Sequence, residues 1–345
     1  MIHSRSAIGI SLALLVIAAI AASVFFLTPD EAAAPKSASE PGISDAPFYV
    51  TTMTHMESNF KDDKDEDLFD RHVGQIRWAM DLFDEYGAKL TIESEASFAR
   101  AHGTWGTNAL KEVVTRGHGV GTHADFGGQR RPIEMAEYTK RFQENKSLVD
   151  ALVGAENNRG VSGGQGAGDW VTAATNAGFG YIDGVVGFAY LSMPMSARPD
   201  GWSDVAIRST YYHDNAPEDL EQRTHPFWLA DSSDFLEDKD GKLLVNGGDM
   251  GELTSLAEGR SNCFPDCALT SADVDALETA LKEALALHDG SRVGKINVHI
   301  PLKLFDKAHE TVLREMLSML KEYAETRAIR FGTQIDVYET AVAER

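Results

Sequence analysis

Three histidines each stand directly after a short apolar, β-branched run: His55 after Phe48–Thr54, His123 after Val120–Thr122, and His299 after Lys295–Val298. His55 and His123 are followed two residues later by a carboxylate, Glu57 and Asp125. Spacing of two on an extended chain puts both groups on one face. Imidazoles with carboxylates suit a divalent transition metal that keeps a position open for water, or an acid–base pair. The segment Arg116–Gly128 concentrates the signal, because glycines crowd His123 and Asp125. Any one of these histidines alone reads equally well as a core residue in a turn. Three strand ends with the same feature favour chemistry.

The elements that must position them alternate. Phe48–Thr54 reads as a strand buried on both faces. Phe69, Val73, Ile76, Met80 and Phe83 recur at helical spacing and end at Gly87. A strand Ala88–Ile92 follows, with Glu93 and Glu95 at its exit, then a helix Asn108–Thr115 closed by Gly117. Met135–Leu152 is a helix. Arg159–Trp170 is a glycine-rich loop without the lysine of a phosphate cradle, and it runs into a helix through Ala177. Tyr181–Val186 is a strand, and Phe235–Glu237 with Lys242–Val245 reads as a hairpin. Further on come a helix from Val274 to Leu285, the strand before His299, and a long helix (Val312–Tyr323) capped by Asp306. A final strand Ile329–Phe331 and a helix Val337–Val342 close the chain. Alternation without an internal repeat predicts a parallel α/β sheet or barrel in one domain, 46–345. In such folds the working residues lie at the C-terminal strand ends, where these histidines stand.

Composition limits the partners. The chain has 345 residues, 43% of them hydrophobic, and a net charge of −21. That charge opposes binding to nucleic acid or anionic lipid. Cys263 and Cys267 are the two cysteines, and their spacing favours a small-loop disulfide over half a metal site. Ala7–Leu27 is uncharged, follows Arg5 and precedes Asp30 and Glu31. At ~1.5 Å per residue it spans one bilayer core, about 30 Å. Residues 1–27 therefore read as a membrane anchor, with residues 28–45 as a flexible linker and the domain facing the periplasm or cell exterior. Cleavage as a signal, leaving a secreted protein, is the alternative.

Gly117-His-Gly-Val-Gly-Thr-His123 resembles the second motif of the polysaccharide deacetylases (the NodB-homology family, carbohydrate esterase family 4), which typically reads Gly-His-Glu-Ile-Gly-Asn-His-Thr-x-x-His. His55-Met-Glu57 falls where that family has Thr-Phe-Asp-Asp-Gly, Arg159–Trp170 near its Arg-Pro-Pro-Tyr-Gly loop, and His299 where a strand-end histidine acts as general acid. The resemblance covers about Ala46 to Ala341 as an ordered set of motifs. It implies a distorted (β/α) barrel of about seven parallel strands and metal-assisted hydrolysis of an N-acetyl group on a sugar. The family's Asp-His-His triad aligns with Glu57, His123 and Gly127, so the second histidine is missing, and its base aligns with Met56. His55 or Asp125 can supply the third ligand and Asp125 the base. His118 matches a family histidine that is not a ligand.

The resulting expectation is a metal-dependent deacetylase. His55, Glu57 and His123 hold a divalent ion, zinc first and cobalt or nickel as alternatives. Asp125 and His299 move protons, and Arg159, Asp169, Trp170 and Trp228 line a groove for a polysaccharide or oligosaccharide. Asp169 as a helix cap and the tryptophans as core are the simpler readings of those residues, and His213 and His225 are unassigned. One rival is a glycoside hydrolase using two of Glu57, Glu93, Glu95 and Asp125. The other is a carbohydrate-binding member that kept the barrel and lost the chemistry.

Overall fold

The computed structural model describes residues 46–57, 60–124, 131–259 and 268–345. Its frame is a ten-stranded sheet built from β1 (Phe48–His55), β2 (Thr91–Ser94), β3 (Gly119–His123), β4 (Gly160–Ser162), β5 (Tyr181–Asp183), β6 (Phe227–Leu229), β7 (Leu243–Val245), β8 (Asp249–Glu252), β9 (Gly294–His299) and β10 (Arg330–Phe331). The spatial order is β6-β7-β5-β4-β3-β2-β1-β9-β8. Every pairing is parallel except that of β6 with β7. β10 pairs with β1 through Tyr49 and Val50, on the side that β2 occupies nearer the other end of β1. The sheet curls into a half-barrel, a distorted (β/α) barrel with more strands than the expected seven. The extra strands β4, β6 and β8 have only three or four residues each, too few to show a period in sequence.

Phe48–His55 forms the central strand because its β-branched and aromatic residues suit a position buried on both faces. The helix Glu66–Glu85 starts where Asp65 accepts a hydrogen bond from Leu68 N at 3.1 Å and stops at Gly87, φ +67°. Phe69, Ile76, Met80 and Phe83 are fully buried, each burial stabilising by roughly 1.5–3 kcal/mol. With the helices Ser271–Leu287 and Glu310–Glu325 they enclose β1, β2 and β9 in one apolar cluster. A second cluster, around Phe142, Val161, Trp170 and Ile182, fills the β4–β5 side.

Three expectations need correction here. The Phe235–Glu237 hairpin does not form: Leu243–Val245 pairs antiparallel with Phe227–Leu229 instead. Asp306 does not cap the long helix, which begins at Glu310. It accepts from Ala308 N and His309 N in the preceding turn. The membrane anchor also finds no support, and with it the transmembrane, membrane-partner and periplasm-facing assignments. Among the described residues no helix is long and apolar enough to cross a membrane. Residues 1–45, which include the proposed span, lie outside the described residues, as do Cys263 and Cys267.

His118 fixes the entry to β3. Its Nδ1 accepts a hydrogen bond from Leu90 N at 3.2 Å, and its Nε2 lies 3.2 Å from Asp84. An accepting Nδ1 cannot also carry a proton. Burial, only partly countered by Asp84, lowers the imidazole to about 4. Between that value and the unfolded value near 6.5 the unfolded chain binds the extra proton, so stability falls as pH falls through this window. The expected loss reaches about 3 kcal/mol by pH 4. It should be absent from His118→Gln, as read by urea unfolding at pH 7 and pH 4.

Candidate metal centre

Parallel register brings the C-terminal ends of β1, β2 and β3 side by side, with His55 opposite Glu93 and Glu93 opposite Gly121. Gly121 matters sterically: a Cβ there would come within 3.1 Å of Glu93 Oε1. The three histidines expected from sequence meet. His55 is sandwiched, its ring 4.2 Å from that of His123 and 4.4 Å from that of His299, both stacked. Glu57, partly exposed, approaches from the β1 exit, with Oε2 at 3.1 Å from His123 Nε2 and Oε1 at 3.9 Å from His55 Nδ1.

Glu93 completes the cluster from below. It is fully buried, and its Oε2 lies 3.4 Å from His55 Nε2 in a contact that does not reach hydrogen-bond geometry. Both Glu93 oxygens and His55 Nε2 are thus buried without a hydrogen-bond partner. Ligand atoms of His55, Glu93 and His123 lie within 4.8 Å of one another. Polar atoms left this way are costly, and a cation shared among them removes the cost. The donor set, two imidazoles and a carboxylate, is the one zinc and its neighbours accept.

Electrostatics agree with a site prepared for positive charge. Burial pulls His55 down, but Glu57 and Glu93 more than reverse this and push it up to about 10. Burial pushes Glu57 up, and the nearby imidazoles of His123 and His55 carry it well below the usual carboxylate range. Glu93 is likewise lowered by His55 against the effect of burial. Burial and the charge on His55 lower His299 to about 3, so its ring is neutral.

Ser162, at the end of β4, sets the direction of His123. Its hydroxyl lies 2.8 Å from His123 Nδ1, which leaves Nε2 facing Glu57. Outer partners of this kind typically account for about 10–100-fold in metal affinity. Ser162→Ala is therefore expected to weaken zinc binding about tenfold or more in a competition with a chromophoric chelator. Unchanged affinity would remove Ser162 from the site.

The remaining sequence assignments scatter. Asp125 lies outside the described residues. Arg159 is exposed at the N-terminal entry to β4, the end opposite the histidines, and lines a cavity of about 400 Å³ with Lys146, Glu156 and Lys242. Asp169 caps the helix Trp170–Asn176, accepting from Thr172 N and Ser232 N at 3.1 Å each. Trp170 is 0% exposed, so it packs the core and cannot line a groove. Trp228 lines a separate cavity beside Val293, with the Arg345 guanidinium 4.6 Å above its ring. Glu95, a carboxylate of the glycosidase rival, is spent as a helix cap on Ser97 N and Phe98 N.

Sequence reasoning placed Glu93 only in that rival. The available signal was its position on β2: it comes level with His55, while Glu95 lies beyond the strand end. Beneath Glu93 sit Asp183, Asp249 and Lys295, all buried, and none was anticipated. Burial and the nearby Glu93 charge raise Asp183 well above its ordinary value.

No protein-family model and no curated protein matches the sequence. Solved structures do. A Parabacteroides distasonis protein designated a glycoside hydrolase/deacetylase superposes with a TM-score of 0.55 at 11% identity, over 87% of this chain and 72% of that one. A protein of Mycobacterium smegmatis designated a polysaccharide deacetylase gives 0.51 at 14% identity, over 87% and 92%. An allantoinase gives 0.52 at 12% identity, over 88% and 92%. At these identities the likeness is one of fold: the chain has the NodB-like fold of polysaccharide deacetylases, with a sequence far diverged from them.

Proposed function

We propose that this protein is a metal-dependent hydrolase that removes N-acetyl groups from an acetylated carbohydrate. One observation carries the reading: His55 Nε2 and both Glu93 oxygens are buried without partners beside His123, at the catalytic end of a deacetylase-type barrel. His55, Glu93 and His123 would hold the ion, with Glu57 reaching it from the β1 exit. Zinc fits this donor set first, cobalt and nickel next. A divalent ion bound there supplies a Lewis acid for the acetamide carbonyl and an acidified water.

The chain's own residues supply the proton traffic. Asp125, two residues beyond His123, keeps its assignment as base for the attacking water. His299, stacked on His55 at the end of β9, is assigned to deliver to the departing amine the proton that the attacking water loses. Ser162 fixes the orientation of the His123 ring, and the stacked rings of His123 and His299 keep His55 from turning. The test is acetate release from N-acetylated oligosaccharides. Chelation should abolish it and zinc should restore it. Turnover that persists in chelator would point to paired-carboxylate chemistry instead, and glycan binding without acetate release to a binding protein.

A further inference from the structure

Between β5 and β6 the chain makes a long excursion that leaves β5 at its site end. Gly184, its first residue, borders the metal centre: a Cβ there would stand 3.9 Å from His55 Nε2. The excursion folds back on itself as a short antiparallel ladder. Ala216 N donates to Val185 O, Gly187 N to Asp214 O at 2.8 Å, and Phe188 N to Tyr212 O at 3.3 Å, with a bridge between Val186 and Asn215. Gly187 is required by this close approach, since a Cβ would fall 1.8 Å from Tyr211 O. The ladder gathers three aromatic rings. Phe188 lies 5.7 Å from Tyr212 and 6.5 Å from His213, and Tyr212 lies 4.8 Å from His213. Phe188 and Tyr212 are half-buried and His213 is exposed.

We propose that Phe188, Tyr212 and His213 form a stacking subsite for a pyranose ring of the glycan, so that the substrate is an oligosaccharide rather than a single sugar. The inference rests on the carbohydrate reading of the metal centre. An aromatic face carries negative charge density that attracts the C–H groups lining one face of a pyranose. Rings at three different tilts, fixed by a backbone ladder and not by a free loop, offer such faces at little ordering cost. Phe188 is four residues from Gly184, so the platform lies within about 14 Å of the chain beside His55. Within that reach, a polymer with one sugar seated at the metal brings a neighbouring ring to Phe188.

The test uses the full chain and two probes, the pentamer and the monomer of N-acetylglucosamine, titrated calorimetrically against wild type, Tyr212→Ala, Phe188→Ala and His213→Ala. Removing one stacking face should weaken pentamer binding about tenfold. Monomer affinity and metal content should stay at wild-type levels, and any kinetic effect on the pentamer should appear in KM rather than kcat. His213→Ala, at an exposed position, keeps the test valid if the half-buried variants fail to fold. No pentamer binding by wild type, or equal pentamer affinity in all folded variants, would overturn the subsite. Pentamer binding that depends on Tyr212 without any acetate release would sink the deacetylase reading and leave the subsite standing. Acetate release with aromatic-independent pentamer binding would do the reverse.

Discussion

Glu93→Gln is expected to cost more than about 100-fold in zinc affinity and to abolish acetate release, a larger loss than removing an outer partner, worth about 10–100-fold, would give. The substitution keeps the shape of the side chain but removes the charge that, with Glu57, raises His55. It also takes a carboxylate from the group of three side chains whose ligand atoms lie within 4.8 Å. The fold should survive, because Gln fills the same space above Gly121. Metal content by elemental analysis and folding by circular dichroism separate the two effects. A folded Glu93→Gln that keeps its metal and its turnover would remove Glu93 from the centre and leave Glu57 as the carboxylate ligand.

The second large effect lies deeper. Lys295 is fully buried on β9, with Nζ donating to Asn246 O and Gln334 Oε1 at 2.6 Å each. Gln334 passes the connection to Asn297 Oδ1 at 2.8 Å, and Asn297 Nδ2 donates to Asp249 at 2.7 Å. Burial lowers Lys295 to about 8 even though Asp249, Asp183 and Glu93 all favour its charge. It therefore remains a cation at neutral pH, facing carboxylates that burial would otherwise leave uncompensated. Lys295→Met should destabilise the protein by about 3–5 kcal/mol, the usual effect of deleting one partner of a buried ionic set. Urea unfolding at pH 7 reads this directly. A change below about 1 kcal/mol would show that the barrel floor tolerates its carboxylates without Lys295.

How much was legible in the sequence follows from where the signals live. Strand-end histidines are local features. A β-branched run, a histidine and the rule that parallel sheets work at their C-terminal ends were enough to bring His55, His123 and His299 together. Glu93 and Glu95 share a strand face by period, and only the register with β1 and the start of the helix Ala96–Trp105 tell the residue beside His55 from the helix cap. Arg159 and Trp170 bound a single glycine-rich segment, yet β4 runs between them, so Arg159 stands at the opposite end of the barrel from the centre. Lys295 reads as a polar interruption at the start of a strand, and nothing nearby in sequence announces the buried carboxylates from β2, β5 and β8 that it faces. Long-range pairing decides each of these.

The central claim is a metal held at the ends of β1, β2 and β3, and elemental analysis of the purified full-length protein, alongside His123→Ala, tests it most directly. The account predicts about one equivalent of zinc, cobalt or nickel in the wild type and a loss of it in the variant. A folded wild-type protein that holds no metal after reconstitution with each of those ions would contradict it.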